Sequence, residues 1–282
     1  MNNLAYIEWN IDPAIIKGFS IGYYNLLFTG GLILCAYIIK RIFDKENIPE
    51  STYRTLLYFC FGGIVLGARL GHCLFYEPAY YLHHPLEMIL PVSFRSGELE
   101  FGYRGLASHG GTIGLMIALF LFGRKTGMSI IKTLDYIAIV APLGACFIRT
   151  GNLMNSEIIG KETNVPWAFI FERVDMLPRH PAQLYEAIAY LIFFFLMVYL
   201  YKKRRDAIQD GFLFGLVLTL IFSFRFFVEF LKERQVDFEN NMYLDMGQLL
   251  SLPFILTGLF FMFIYKSGQI KEKVPGKNYF SV

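Results

Sequence analysis

An all-α, polytopic integral membrane protein of about seven transmembrane helices is the fold class this 282-residue sequence predicts. Three observations carry it. The chain is 55% apolar and 17% aromatic with only 17% charged residues, and its mean hydropathy is +0.44, the balance of a chain that buries apolar surface in lipid. Several apolar runs come near twenty residues, the length a helix needs to cross a bilayer. The alternating strand and helix periods of a soluble α/β protein are not found.

The first run, about Ser20–Ile39, opens with Tyr23 and Tyr24 and stops at a basic cluster. The second, about Thr52–Phe75, carries Arg69 and His72 near its far end. The third, about Ser108–Gly123, begins with His109-Gly110-Gly111; it is short for a span, or else begins nearer Gly105. The fourth, about Ile130–Ile148, is broken mainly by Lys132 and Asp135 and runs straight into Arg149. The fifth, about Leu184–Tyr201, follows His180 and Gln183; the sixth, about Gly211–Phe230, carries Arg225 and Glu229 one turn apart; the seventh is about Gln248–Tyr265.

The basic residues orient the array. Fifteen of the twenty-six Lys and Arg lie on one side: Lys40, Arg41, Lys45, Arg54, Arg124, Lys125, Lys132, Lys202 to Arg205, Lys266, Lys271, Lys273 and Lys277. Eight lie on the other: Lys17, Arg95, Arg104, Lys161, Arg173, Arg179, Lys232 and Arg234. Arg69, Arg149 and Arg225 fall within or at the ends of spans. The positive-inside bias therefore puts the N-terminus outside and the C-terminus in the cytoplasm, as an odd number of spans requires. No repeat or low-complexity segment breaks residues 1–282 into parts, so one membrane domain is expected, and no cleavable signal. Two longer connections, about Tyr76–Ala107 and Asn152–Gln183, fall on the outer side and predict a small cap or arm. Tyr76, Tyr80, Tyr81, Trp167 and Phe169 suit an interfacial aromatic belt.

With this topology the unusual polar groups gather at the outer face. The densest stretch is Arg149-Thr-Gly-Asn152-Leu-Met-Asn155-Ser-Glu157-Ile-Ile-Gly160. An arginine at the centre of a bilayer costs several kcal/mol, so such residues face a cavity or a partner. Tyr24, His109, Glu186, Arg225 and Glu229 come to the same face from other spans. Plainer roles stand beside the functional one. Arg225 and Glu229, at i and i+4, also suit a simple helix ion pair, and Arg69 suits a side chain snorkelling to the interface. His72, His83, His84 and His180 suit interfacial or loop positions. The glycines after His109 allow close approach of a ligand or close packing of helices. Asn152, Asn155 and Glu157 also suit caps on exposed carbonyls, although capping does not require three such residues beside an arginine.

Two arginines at a membrane face can hold a phosphate by charge-assisted hydrogen bonds, a histidine can move a proton near neutral pH, and amides with a carboxylate can orient hydroxyls. The combination predicts an anionic phospholipid headgroup as ligand, with its tails among the helices. No Gly-rich phosphate loop, nucleophile elbow or zinc pattern is found, and neither cofactor nor metal is expected. The net charge of +3 is spread over short loops and indicates no nucleic-acid partner. Cys35, Cys60, Cys73 and Cys146 lack metal-ligand spacing and read as small apolar fillers.

The assembled residues resemble the prolipoprotein diacylglyceryl transferase family through most of the chain. The resemblance rests on Tyr23-Tyr24, Gly67-Ala-Arg69-Leu-Gly71-His72, Tyr103-Arg104-Gly-Leu-Ala-Ser-His109-Gly-Gly111, Arg149 to Gly160, His180-Pro-Ala-Gln-Leu-Tyr-Glu186 and Arg225-Phe-Phe-Val-Glu229-Phe, in that order. It implies an enzyme of the bacterial inner membrane with its site towards the periplasmic face. The implied reaction moves a diacylglyceryl group from phosphatidylglycerol to the lipobox cysteine of a preprolipoprotein and releases glycerol 1-phosphate. It implies catalytic roles for His109, Arg149 and Arg225. Tyr24, Asn152, Glu157, Gly160 and Glu229 are expected to bind substrate with the two arginines, and Glu229 to position Arg225. Whether His109 is the base or the arginines alone lower the thiol pKa stays open. Two departures stand out: Ile148 where the family signature has glycine before the arginine, and Ile221 where an aromatic residue is expected four positions before Arg225. Rival readings are another phospholipid-dependent transferase and a transporter, whose ionisable residues would sit nearer the midplane.

Overall fold

The apolar runs become helices that end where backbone or charge demands it. A computed structural model describes residues 6–15, 22–90, 92–93, 100–101, 105, 107–234 and 242–265. Lys17, Ser20, Arg95, Tyr103, Arg104 and the lysines beyond 265, named above, lie outside the described residues. Helix α1 spans Tyr23–Lys45 and α2 spans Glu50–Phe75. Two short helices follow, α3 (Pro78–His83) and α4 (Pro85–Ile89). Helix α5 (Ser108–Thr126) stops at Gly127, whose φ of 72° is left-handed. Helix α6 (Ile130–Met154) starts where the Ser129 side chain accepts from Lys132 N. Helices α7 (Ala182–Arg204) and α8 (Phe212–Val228) are followed by α9 (Met246–Leu259), which opens with an Asp245–Gln248 capping box and runs into a π-helical turn, Phe260–Ile264.

Six of these helices are long and apolar enough to cross a membrane, so the chain is a multi-pass membrane protein. The six do not include α5, because His109 and Arg124-Lys125 fall within its 19 residues. Its packing shows that it matches α2 in depth all the same. Gly63, Gly67 and Gly71 of α2 lie against Gly114 and Gly110 of α5 and Ala107 just before it, an antiparallel contact so close that a Cβ on Gly67 would stand 2.8 Å from Gly114 Cα. Lipid gives helices no hydrophobic reason to associate, and small residues supply the contact instead.

The apolar core lies towards one end of the bundle. Phe43 of α1, Leu56 of α2, Phe122 of α5, Ile139 of α6, Met197 of α7 and Val217 of α8 are all buried there together. That is the basic end, where Lys40, Lys45, Arg124, Lys125 and Lys202 also lie. The expected small cap or arm is found at the opposite end, and it adds strands to an otherwise helical chain. Strand β1 (Ile7–Trp9) pairs in parallel with β4 (Phe169–Phe171), which pairs antiparallel with β5 (Pro178–Arg179). Phe169, Phe171 and Trp9 pack on Leu153 and Leu184, and Trp9 Nε1 donates to Leu153 O at 3.0 Å. The sheet therefore sits over the ends of α6 and α7. The other connection forms an arm of α3, α4 and a small hairpin, β2 (Val92–Ser93) with β3 (Glu100–Phe101). Arg69, 2% exposed, fastens that arm: it donates to Glu87 O, and its guanidinium lies 4.7 Å from the centre of the Tyr81 ring. Of the expected aromatic belt, Tyr76 and Trp167 are exposed, whereas Tyr81 and Phe169 are buried inside the arm and the cap.

Candidate active site

Helix α6 does not stop where its apolar run stops. It continues through Arg149 and Asn152 to Met154, which puts those two side chains one turn apart. Arg149 Nη1 donates to Asn152 Oδ1 at 3.3 Å, and Asn152 Nδ2 donates to Glu157 Oε2 at 3.1 Å. Asn155 Nδ2 donates to the other Glu157 oxygen at 2.9 Å. Two non-glycine residues of the following turn, Ser156 and Ile158, have φ of 55° and 57°. A left-handed β-branched residue costs on the order of 1–3 kcal/mol and persists only where its surroundings hold it. Here Gln183, fully buried at the start of α7, donates to Glu157 O. Tyr24 packs its ring across α6 at Gly151, where a Cβ would meet Tyr24 Cδ2 at 2.8 Å.

Gly160 is the crossing point of three segments. Its N–H donates to His180 O at 2.9 Å, its carbonyl accepts from Arg179 Nη1 at 3.2 Å, and the next residue, Lys161, donates from N to Leu231 O at 2.7 Å. A Cβ there would stand 2.5 Å from His180 O and 2.8 Å from Leu231 O. The backbones can therefore approach so closely only because no side chain intervenes.

Behind Arg149 lies a buried ion cluster. Glu186 of α7 is 0% exposed, with Oε2 3.1 Å from Arg149 Nε and 3.2 Å from Lys232 Nζ. Both contacts are ion pairs lying off hydrogen-bond alignment. Tyr190 Oη donates to the other oxygen, Oε1, at 3.0 Å. Lys232 Nζ also pairs with Glu229 Oε2 at 3.1 Å, and Glu229 rests against Gly247 of α9. Such charges survive burial because each has a counter-ion within reach.

Among the expected site residues, the structure brings Arg149, Asn152 and Glu157 into direct contact and seats Tyr24 on the adjoining turn. Arg225 is half-buried on α8 and makes no hydrogen bond or ion pair among the described residues. It shares with Arg149 the electrostatic neighbourhood of the Tyr190 hydroxyl. Glu229 is paired with Lys232, and no ion pair joins it to Arg225 among the described residues. His109 is exposed on the first turn of α5, and among the described residues no hydrogen bond joins it to either arginine. The glycine after it, Gly110, is occupied by packing on Gly67 and Gly71. Sequence reasoning placed Glu186 at this face but did not count Glu186 or Lys232 as site residues. The signal was available for Glu186, a carboxylate in an apolar helix, but not for Lys232, which lies beyond its span.

The cap adds a polar frame. Arg179 donates to Asp175 through Nε and Nη2 and to Glu233 through Nη1. The guanidinium holds the Asp175 carboxyl below the usual carboxylate range, and the Arg179 pKa rises in return. Trp167 Nε1 donates to Tyr185 Oη at 2.8 Å, and that hydroxyl lies 3.1 Å from His180 Nδ1. Burial pushes the His180 imidazolium pKa down, which favours the neutral ring beside the Tyr185 hydroxyl.

A model of the prolipoprotein diacylglyceryl transferase family matches residues 13–264. A Bacteroides fragilis protein named phosphatidylglycerol–prolipoprotein diacylglyceryl transferase is 57% identical over 277 residues, 96% of this chain and 100% of that protein. Proteins of the same name from Chloroherpeton thalassium and Porphyromonas gingivalis are 42% and 40% identical, each over 96% of this chain and over 99% and 98% of their own lengths. The match runs through the segments that hold Tyr24, the Arg149–Gly160 turn, Glu186 and Arg225, and by its extent the chain belongs to the prolipoprotein diacylglyceryl transferase family.

Proposed function

We propose that this protein transfers the diacylglyceryl group of phosphatidylglycerol to the thiol of a lipobox cysteine in a preprolipoprotein, with the cap end of the bundle at the outer, periplasmic face of the bacterial inner membrane. The basic residues at the opposite end support that orientation. The relatives' names supply the substrates. The observation that carries the reading is Arg149: Glu186 holds Nε and Asn152 holds Nη1, while Nη2 has no partner among the described residues. A guanidinium held at Nε and Nη1, with the Nη2 between its two forks open, is prepared for an anion, and Arg225 offers a second one unpaired among the described residues.

In the reaction the thiolate sulfur attacks the glyceryl methylene carbon that bears the phosphate. The sulfur–carbon bond forms as the carbon–oxygen bond breaks, and the electron pair leaves on the oxygen of glycerol 1-phosphate. The phosphate changes from a diester with one negative charge to a monoester that carries up to two. Cations beside it therefore bind the transition state more strongly than the ground state. Arg149 and Arg225 supply that charge. Asn152, Glu157 and Gly160 shape the headgroup site, and Tyr24 contacts lipid. His109 accepts the thiol proton, since the thiolate is the nucleophile.

The test is reconstitution with phosphatidylglycerol and a lipobox peptide, read by mass spectrometry. A thioether-linked diacylglyceryl adduct on the cysteine is expected. Folded protein that yields an acyl adduct, or none, contradicts the reading. A His109→Gln variant with undiminished turnover would remove histidine from the base role.

A further inference from the structure

Lys232 lies outside every apolar span, just after the 3-10 turn Glu229–Leu231, yet its side chain is only 3% exposed. Its ammonium stands 3.2 Å from Glu186 Oε2 and 3.1 Å from Glu229 Oε2. The same Glu186 oxygen stands 3.1 Å from Arg149 Nε. Glu186 is thus shared between two cations, and the helices that bear Arg149 and Glu186 are tied to the turn after α8 by one carboxylate.

Sharing has an electrostatic consequence. With Lys232 present, three cations (Arg149, Arg225 and Lys232) offset the three carboxylates of this end of the bundle, Glu157, Glu186 and Glu229. Without it, Glu186 would pair with Arg149 alone and Glu229 would lose its counter-ion. Carboxylates would then outnumber cations beside a departing phosphate just as the demand for positive charge rises.

We propose that Lys232 is a positioning residue for the transfer. It draws Glu186 and Glu229 into one buried cluster, fixes Arg149 at Nε, and keeps Nη2 and the guanidinium charge available to the phosphate. Lys232 does not touch substrate; it acts through Glu186 and Arg149. The proposal rests on the transferase reading above.

Because the phosphate gains charge only as the carbon–oxygen bond breaks, the effect falls on turnover more than on substrate binding. In phosphatidylglycerol proteoliposomes with a lipobox peptide, Lys232→Gln is expected to lower kcat per folded molecule by about 100-fold, as misplacing a catalytic group does. The KM for phosphatidylglycerol should change by less than about threefold. Lys232→Arg, which keeps the charge, should restore kcat to within about tenfold of wild type. A purely structural lysine would lower the yield of folded protein and leave kcat and its rescue unmoved. Where Lys232→Gln does not fold, Lys232→Met combined with Glu229→Gln removes one charge of each sign. A kcat for that double variant well below that of Glu229→Gln alone supports the proposal, and an equal kcat overturns it. Wild-type kcat in folded Lys232→Gln also overturns it. A wild-type protein that forms no diacylglyceryl adduct would instead overturn the reaction itself.

Discussion

Replacing Gly160 by alanine tests the site through its backbone, with no change of charge or hydrogen-bonding group. The new Cβ would stand 2.5 Å from His180 O and 2.8 Å from Leu231 O, against an ordinary contact of 3.4 Å or more. Relief asks one carbonyl to move by about 0.9 Å and the other by about 0.6 Å, since repulsion is steep at shorter range. Neither segment is free to give way. His180 leads into α7 and Glu186, and Leu231 adjoins Lys232, so the strain passes into the ion cluster that holds Arg149. Overpacking of this kind costs roughly 1–3 kcal/mol of stability. A displacement near 1 Å at a catalytic group costs about 100-fold in rate. The assay is turnover with phosphatidylglycerol and a lipobox peptide, normalised to folded protein, with the thermal midpoint measured alongside. Gly160→Ala is expected to lose about 100-fold in kcat while most of the protein still folds. Wild-type turnover in this variant would refute the reasoning, because it would show that the crossing at Gly160 does not set the site.

Gly67→Leu is expected to part α2 from α5, since even a Cβ there would stand 2.8 Å from Gly114 Cα; overpacking of roughly 1–3 kcal/mol or more should lower the thermal midpoint of the purified protein by several degrees. An unchanged midpoint would contradict the close crossing. His180 gives a pH dependence. Burial lowers its folded pKa below the ordinary 6.5, so below about pH 6.5 the unfolded chain takes up a proton that the folded one refuses, and stability falls with pH. Above that pH both states are neutral and the histidine contributes no slope. The thermal midpoint of wild type should therefore drop more between pH 7 and pH 5 than that of His180→Gln, and parallel curves would refute the assignment.

The spans were legible because apolar length and basic loops are local signals, and α1, α2, α6, α7, α8 and α9 fall on the expected runs. The end of α6 was not. Polarity arriving at Arg149 suggested that the span stopped at Ile148, yet the helix continues to Met154. Its polar side chains find partners in Glu157 and Glu186, so the backbone ladder has no reason to break. The spacing of Arg225 and Glu229 suggested a helix ion pair. The chain tightens into a 3-10 turn at Glu229–Leu231, and Lys232 reaches Glu229 instead. Pairings between distant segments leave no periodic trace. Strand β1 joins β4 and Glu186 joins Lys232, and neither contact has a sequence pattern of its own. Small residues were ambiguous in the same way: Gly110 could have served a ligand, and only its contact with Gly67 and Gly71 shows what occupies it.

The central claim is that Arg149 and Arg225 hold one phosphate together. The direct measurement is kcat/KM for phosphatidylglycerol in Arg149→Ala, Arg225→Ala and the double variant, all normalised to folded protein. Each single change is expected to cost at least about 100-fold, as loss of one preorganised charge donor does. The double variant should lose much less than the product of the two, because both residues serve the same anion. Normal turnover after removal of either arginine, or losses that simply multiply, would contradict a shared phosphate site.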